Sequence, residues 1–77
     1  MSVSANSRIV VNVEGSKLVQ KIAYTKEDRQ LSVELKGNKV YQYSNVPEAE
    51  AQEFINAKSH GKYFLANIKE NYEYSTL

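Results

Sequence analysis

Two stretches of this 77-residue chain carry side chains that could do chemistry. The first is Ser59-His60-Gly61-Lys62-Tyr63. It combines a hydroxyl, a glycine that lets a ligand approach the backbone, a cation and an aromatic ring, at a point where a helix is expected to start. Unpaired N–H groups in a first helical turn suit an anion such as phosphate. The second is Tyr41-Gln42-Tyr43, a tyrosine pair at strand spacing. Aromatic rings stack on nucleobases whatever the base, because every base has a π-face. Ser16, Lys17 and Lys69 are further candidates for contact with phosphate. The same residues have plainer readings. Ser59 suits a helix cap, Gly61 a helix–helix corner, Tyr41 and Tyr43 a contact between subunits, and the lysines a solvated surface.

Catalysis is poorly served. The chain has no cysteine, so it has no thiol nucleophile, disulfide or thiolate metal site. Its one histidine, His60, adjoins Ser59, and adjacent side chains rarely form a nucleophile–base pair. No glycine-rich phosphate loop is present. Glu48, Glu50 and Glu53 read as a solvated helix face matched to the helix dipole, not as metal ligands. The expectation is a binding protein that is not an enzyme and needs no cofactor or metal.

The charge balance narrows the partner. Ten Lys and Arg against nine Asp and Glu leave a net charge of +1. Gripping a long nucleic acid usually takes a basic excess, since phosphate contacts carry much of the affinity. A ligand with only a few phosphates needs less. No apolar run nears the roughly 20 residues of a membrane span, and no signal peptide is visible, so a cytoplasmic location is expected. A domain this short buries only about 60% of its unfolded surface. With disulfides and metals set aside, self-association is the remaining support, and a homo-oligomer is expected.

These groups must be positioned by a single domain over residues 1–77, without repeats or linkers. Residues 1–7 are expected to be loose. The β-branched run Arg8–Val13 reads as a strand, as do residues 18–24. Leu31-x-Val33-x-Leu35 alternates cleanly and predicts a strand with one buried face, with residues 39–44 as its return. Pro47 fits a helix start. Helices are expected near 47–58, with Ala51, Phe54 and Ile55 as its apolar stripe, and near 60–72, with Phe64, Leu65, Ile68 and Tyr72 on one side. The fold class is α+β, an antiparallel sheet of about four strands followed by two C-terminal helices.

Which way the tyrosines point depends on the hairpin. A two-residue loop, Gly37-Asn38, pairs Leu35 with Val40, Glu34 with Tyr41 and Ser32 with Tyr43. Both rings then lie opposite Leu31, Val33 and Leu35, on the uncovered face. A three-residue loop with a bulge reverses this and buries them with the leucines. The two-residue loop is the expectation adopted.

The chain also resembles a known family, the KTSC domain. The resemblance spans Ser16 to Tyr72. It rests on Ser16, Ile22 and Tyr24, on Leu31-x-Val33-x-Leu35, on Tyr41-Gln42-Tyr43 and on Val46-Pro47. It continues through Ala57-x-Ser59-x-Gly61-x-Tyr63-Phe64 and Ile68-Lys69-x-x-Tyr72. No piece is specific alone; their order and spacing together are. Lys17, Thr25, Leu65 and Lys69 depart from residues usual in the family, around polar positions that bear on ligand identity. The strand at 8–13 is an addition ahead of the usual domain. The family takes its name from the C-terminus of some lysyl-tRNA synthetases, and also occurs as stand-alone proteins. The resemblance implies RNA binding as one role. In size, independence and lack of catalytic groups, the chain is also similar to small phage anti-CBASS sponges, which sequester cyclic oligonucleotide immune signals. That likeness implies a cyclic di- or trinucleotide ligand and work in the host cytoplasm. A short RNA, or a protein-interaction role without nucleotide, are the alternatives.

Overall fold

A computed structural model describes residues 8–77; the expectation for residues 1–7 lies outside them. Five antiparallel strands form one sheet in chain order: β1 (Arg8–Asn12), β2 (Val19–Thr25), β3 (Gln30–Leu35), β4 (Lys39–Tyr43) and β5 (Tyr74–Thr76). Between β4 and β5 run α1 (Glu48–Ile55) and α2 (His60–Tyr63), which continues as a π-helical segment, Phe64–Ile68. The α+β plan is as expected from the change of period after Pro47; the sheet has one more strand.

Strand pairing sets two rows of side chains toward the helices. One reads Ile9, Tyr24, Leu31, Tyr43, Tyr74, and the other Val11, Ile22, Val33, Tyr41, Thr76. Their centres are buried: Tyr24, Ile22, Leu31, Val33 and Tyr43 join Val46, Ala51, Phe54, Phe64 and Ile68 in one core. The opposite face carries the row Val10, Ala23, Ser32, Gln42, Ser75. Alternation of apolar and polar residues in β3 decides which face is inside.

The β3–β4 hairpin corrects the expected register. Val33 pairs with Tyr41 and Leu31 with Tyr43, so the loop is the three residues Lys36-Gly37-Asn38. The Asn38 N–H donates to the Leu35 carbonyl at 3.1 Å, with Gly37 at φ 91° and Asn38 at φ 65°. Two successive left-handed residues fit Gly-Asn well, because both tolerate positive φ. One added loop residue turns each β4 side chain to the other face. Tyr43 is therefore fully buried and Tyr41 half-buried, on the leucine face and not the uncovered one.

The helices are shorter than the expected 47–58 and 60–72. Pro47 sits at the N-cap with φ −65° and ψ 151°, one residue ahead of α1. The Ala57 N–H reaches the Phe54 carbonyl at 3.2 Å, a tightened turn that ends α1. The second helix widens, with the Lys69 N–H donating to the Phe64 carbonyl at 2.8 Å. Phe64 and Ile68 are buried, whereas Leu65, expected beside them, is 54% exposed. The chain then turns, and β5 returns beside β4. The Ser44 N–H donates to the Glu73 carbonyl and the Leu77 N–H to the Val40 carbonyl, each at 3.0 Å.

Candidate functional site

The α1–α2 corner is built from both helices and the turn between them. Ser59 is extended (φ −127°) and caps α2, its Oγ accepting from the Lys62 N–H at 3.4 Å. His60 is half-buried, and its Nε2 lies 3.0 Å from the Ile55 carbonyl, which fastens α2 to the end of α1. On the outer side of this corner lies an open cleft of about 560 Å³. Lys58, Ser59, Lys62 and Tyr63 line it, with the amide side chains of Asn56 and Asn67, the carboxylate of Glu53, and Ala57 and Ala66.

Tyr63 is the ring that this cleft offers. It stacks on buried Phe54, with centroids 5.6 Å apart and planes 15° from parallel. Its hydroxyl donates to Glu50 and, at 3.4 Å, to Glu53. Glu50 also accepts from the Tyr72 hydroxyl at 3.2 Å. Burial, then the hydrogen bond to Glu50 and the charges of Glu50 and Glu53, push the Tyr63 phenol well above the usual tyrosine range. Burial and Glu50 push Tyr72 up as well. Both phenols therefore stay neutral donors at physiological pH.

A smaller hollow of about 140 Å³ lies on the other side of the corner, between Glu14, Gly15 and Ser16 and Lys58, Ser59 and His60. Ser16 Oγ accepts from the N–H groups of Leu18 and Val19 at 3.2 and 3.0 Å. It thereby shapes the turn into β2. A β-carbon on Gly61 would stand 3.5 Å from Leu18 Cβ and 3.6 Å from Ser16 Oγ. The corner and the Ser16 turn are thus in contact.

The structure gathers only part of the residues singled out from sequence. Ser59, Lys62 and Tyr63 share the cleft, and Ser16 and Gly61 lie behind it. Lys17 and Lys69 are exposed and border neither hollow. Tyr43, with no exposed surface, has no face free for a base. Burial pushes its phenol up to about 12, with Tyr74 and Tyr41 adding to the effect. Tyr41 packs against Tyr43, Phe64 and Tyr74 and borders a separate hollow near Lys39 and Thr76. The pairing of a tyrosine from β4 with Lys62 in one site is accordingly replaced by Tyr63 with Lys62. Asn56, Lys58 and Asn67 were missed. The signal available was Asn56, a residue suited to ending a helix, which would have put 56–58 in the corner turn. Among the described residues no group of His, Cys, Asp and Glu is placed to hold a metal ion, and no helix is long and apolar enough to cross a membrane.

A five-stranded antiparallel sheet with one two-helix layer, and an open hollow at the helix corner, defines a small α+β domain. The KTSC domain model matches residues 15–72, and the chain belongs to that family. The crystal structure of a KTSC domain protein from Yersinia pestis is similar, at 28% identity and a TM-score of 0.84. That likeness covers 92% of this chain and 99% of the other. A search of the curated proteins finds no match.

Proposed function

We propose that this domain is a non-catalytic binding protein that holds a small phosphorylated nucleotide in the α1–α2 cleft. The observation that carries the reading is the cleft's composition. Two lysines, Lys58 and Lys62, two side-chain amides, Asn56 and Asn67, and the ring of Tyr63 border one opening of about 560 Å³. The opening is wide and shallow, with a volume in the roughly 300–1,000 Å³ range of small-molecule sites. The lysines supply charge for phosphate, the amides donate and accept along a base edge, and the ring offers a stacking surface. Ligand release with no chemistry fits a chain without cysteine, whose one histidine is held on the Ile55 carbonyl.

In its finest form the ligand is a cyclic oligonucleotide, sequestered in the cytoplasm of a cell or of a phage's host. A net charge of +1 suits a ligand with two or three phosphates better than a long polynucleotide. The test is calorimetry against a panel of cyclic di- and trinucleotides, with short RNA as the comparison. Lys62→Ala and Lys58→Ala should each weaken binding severalfold, with an effect that added salt masks. Tyr63→Phe keeps the ring and should bind nearly as well as the parent. Tyr63→Leu should lose about 1–3 kcal/mol of affinity. Binding of RNA alone would favour an RNA-binding module, and binding of neither a protein-interaction role.

A further inference from the structure

We propose that two copies of this chain pair through their β1 edges, joining their sheets into one. Among the described residues the sheet has two unpaired edges, β1 and β5. The β5 edge has three residues, a length that limits pairing, whereas β1 has five, Arg-Ile-Val-Val-Asn. It carries no lysine or proline, and its one charge is Arg8 at the first residue, away from the strand centre.

The backbone of β1 is set for such a partner. The Val13 N–H donates inward to the Gln20 carbonyl at 3.0 Å. Strand alternation then turns the N–H and C=O groups of Val11 and Ile9 inward, and those of Arg8, Val10 and Asn12 toward the free edge. An antiparallel two-fold centred on Val10 sets Val10 against Val10 of the second copy, and Arg8 against its Asn12. These are the residues whose backbone groups face outward, so each pair exchanges both hydrogen bonds. On the helix side the same register sets Ile9 beside Val11 of the second copy.

The side chains agree with this occupant. The central pair is apolar, the flanking pair opposes arginine to a neutral amide, and no like charges meet. The core-facing row that is buried at Tyr24 and Leu31 ends on Ile9, still 37% exposed, and Val10 on the other face is 50% exposed. A second β1 covers both from the side. An isologous contact needs one patch complementary to itself, and β1 meets that condition. A five-residue edge falls short of the roughly 1,600 Å² of a standard interface, so the dimer is weak and concentration-dependent. The proposal is independent of the ligand in the α1–α2 cleft.

Sedimentation velocity on the full chain, from low micromolar to near-millimolar, tests it together with amide hydrogen exchange. The expected result is a rise from monomer to dimer mass, with exchange slowing at Val10 and Asn12 as the dimer fills. Val10→Lys sets two like charges at the two-fold, and Asn12→Arg opposes two guanidinium groups. Each should weaken the dimer severalfold while circular dichroism is unchanged. A monomer throughout, a dimer that both variants leave intact, or slowed exchange at Tyr74 and Thr76, whose N–H groups face the free β5 edge, in place of Val10 overturns the proposal. The exchange measurement on the unmodified chain decides the matter even where a variant fails to fold.

Discussion

The Tyr24 hydroxyl donates a 2.7 Å hydrogen bond to the Val46 carbonyl, tying the middle of β2 to the segment that leads into α1. Both residues are buried. Tyr43, two strands away in the same core-facing row, is buried with its hydroxyl unpartnered. The two phenols are a matched pair in which one is satisfied and the other is not.

Tyr24→Phe should therefore destabilise the domain by about 1–3 kcal/mol, because it leaves the Val46 carbonyl without its donor. Tyr43→Phe removes a hydroxyl that has no partner, and should leave stability unchanged or raise it. Urea unfolding midpoints compare the two. Equal losses in both variants would mean that the Tyr43 hydroxyl has a partner in solution.

Glu50 accepts from Tyr63 and Tyr72 together, and so joins α1 to α2 and to the turn before β5. Glu50→Ala should cost about 2 kcal/mol, roughly one for each bond lost. Glu50→Gln keeps an acceptor oxygen and should recover part of that loss. Thermal melts of the three proteins would show it. Indistinguishable melting temperatures would place this cluster outside the stabilising contacts.

Alkaline pH should unfold the protein. Tyr24, Tyr43, Tyr63 and Tyr72 all have phenols raised above the ordinary value near 10, in each case chiefly by burial. The folded state thus binds these protons more tightly than the unfolded state. The stability this confers is complete below pH about 10 and is lost as pH climbs, for Tyr43 through about 12. Circular dichroism and tyrosinate absorbance should change together above pH about 10. Titration of Tyr24, Tyr43, Tyr63 and Tyr72 near the ordinary value with the fold intact would contradict the burial argument.

Gly61→Ala tests whether the corner glycine serves the fold or a ligand. Its φ is not positive, and the added carbon would meet Leu18 and Ser16 at ordinary van der Waals distances, 3.5 and 3.6 Å. Alanine is the better helix former by about 1 kcal/mol. The variant should fold with equal or greater stability. A loss of nucleotide affinity without a loss of stability would then assign Gly61 to ligand approach, whereas a destabilised variant would assign it to packing.

Local pattern was enough for the architecture. The alternation through Leu31, Val33 and Leu35 can only be a half-buried strand, and Pro47 followed by Ala51, Phe54 and Ile55 can only be an amphipathic helix near that start, because each period matches one backbone geometry. The order of those periods set the α+β class. Ser59 as the α2 cap was also legible, since capping depends on the residue and its near neighbours. The hairpin register was not. Gly37-Asn38 suits two loop lengths, and only packing against Phe64 and Tyr74 selects the one that puts Tyr43 in the core. Strand β5 was invisible for a related reason. Tyr74–Thr76 is three exposed residues with no pattern of its own, and it is a strand because β4 supplies its partner. The cleft depended on tertiary structure most of all: α1 ends at Ile55, three residues short of its expected limit, and the freed turn brings Asn56 and Lys58 around to face Lys62, Tyr63 and Asn67.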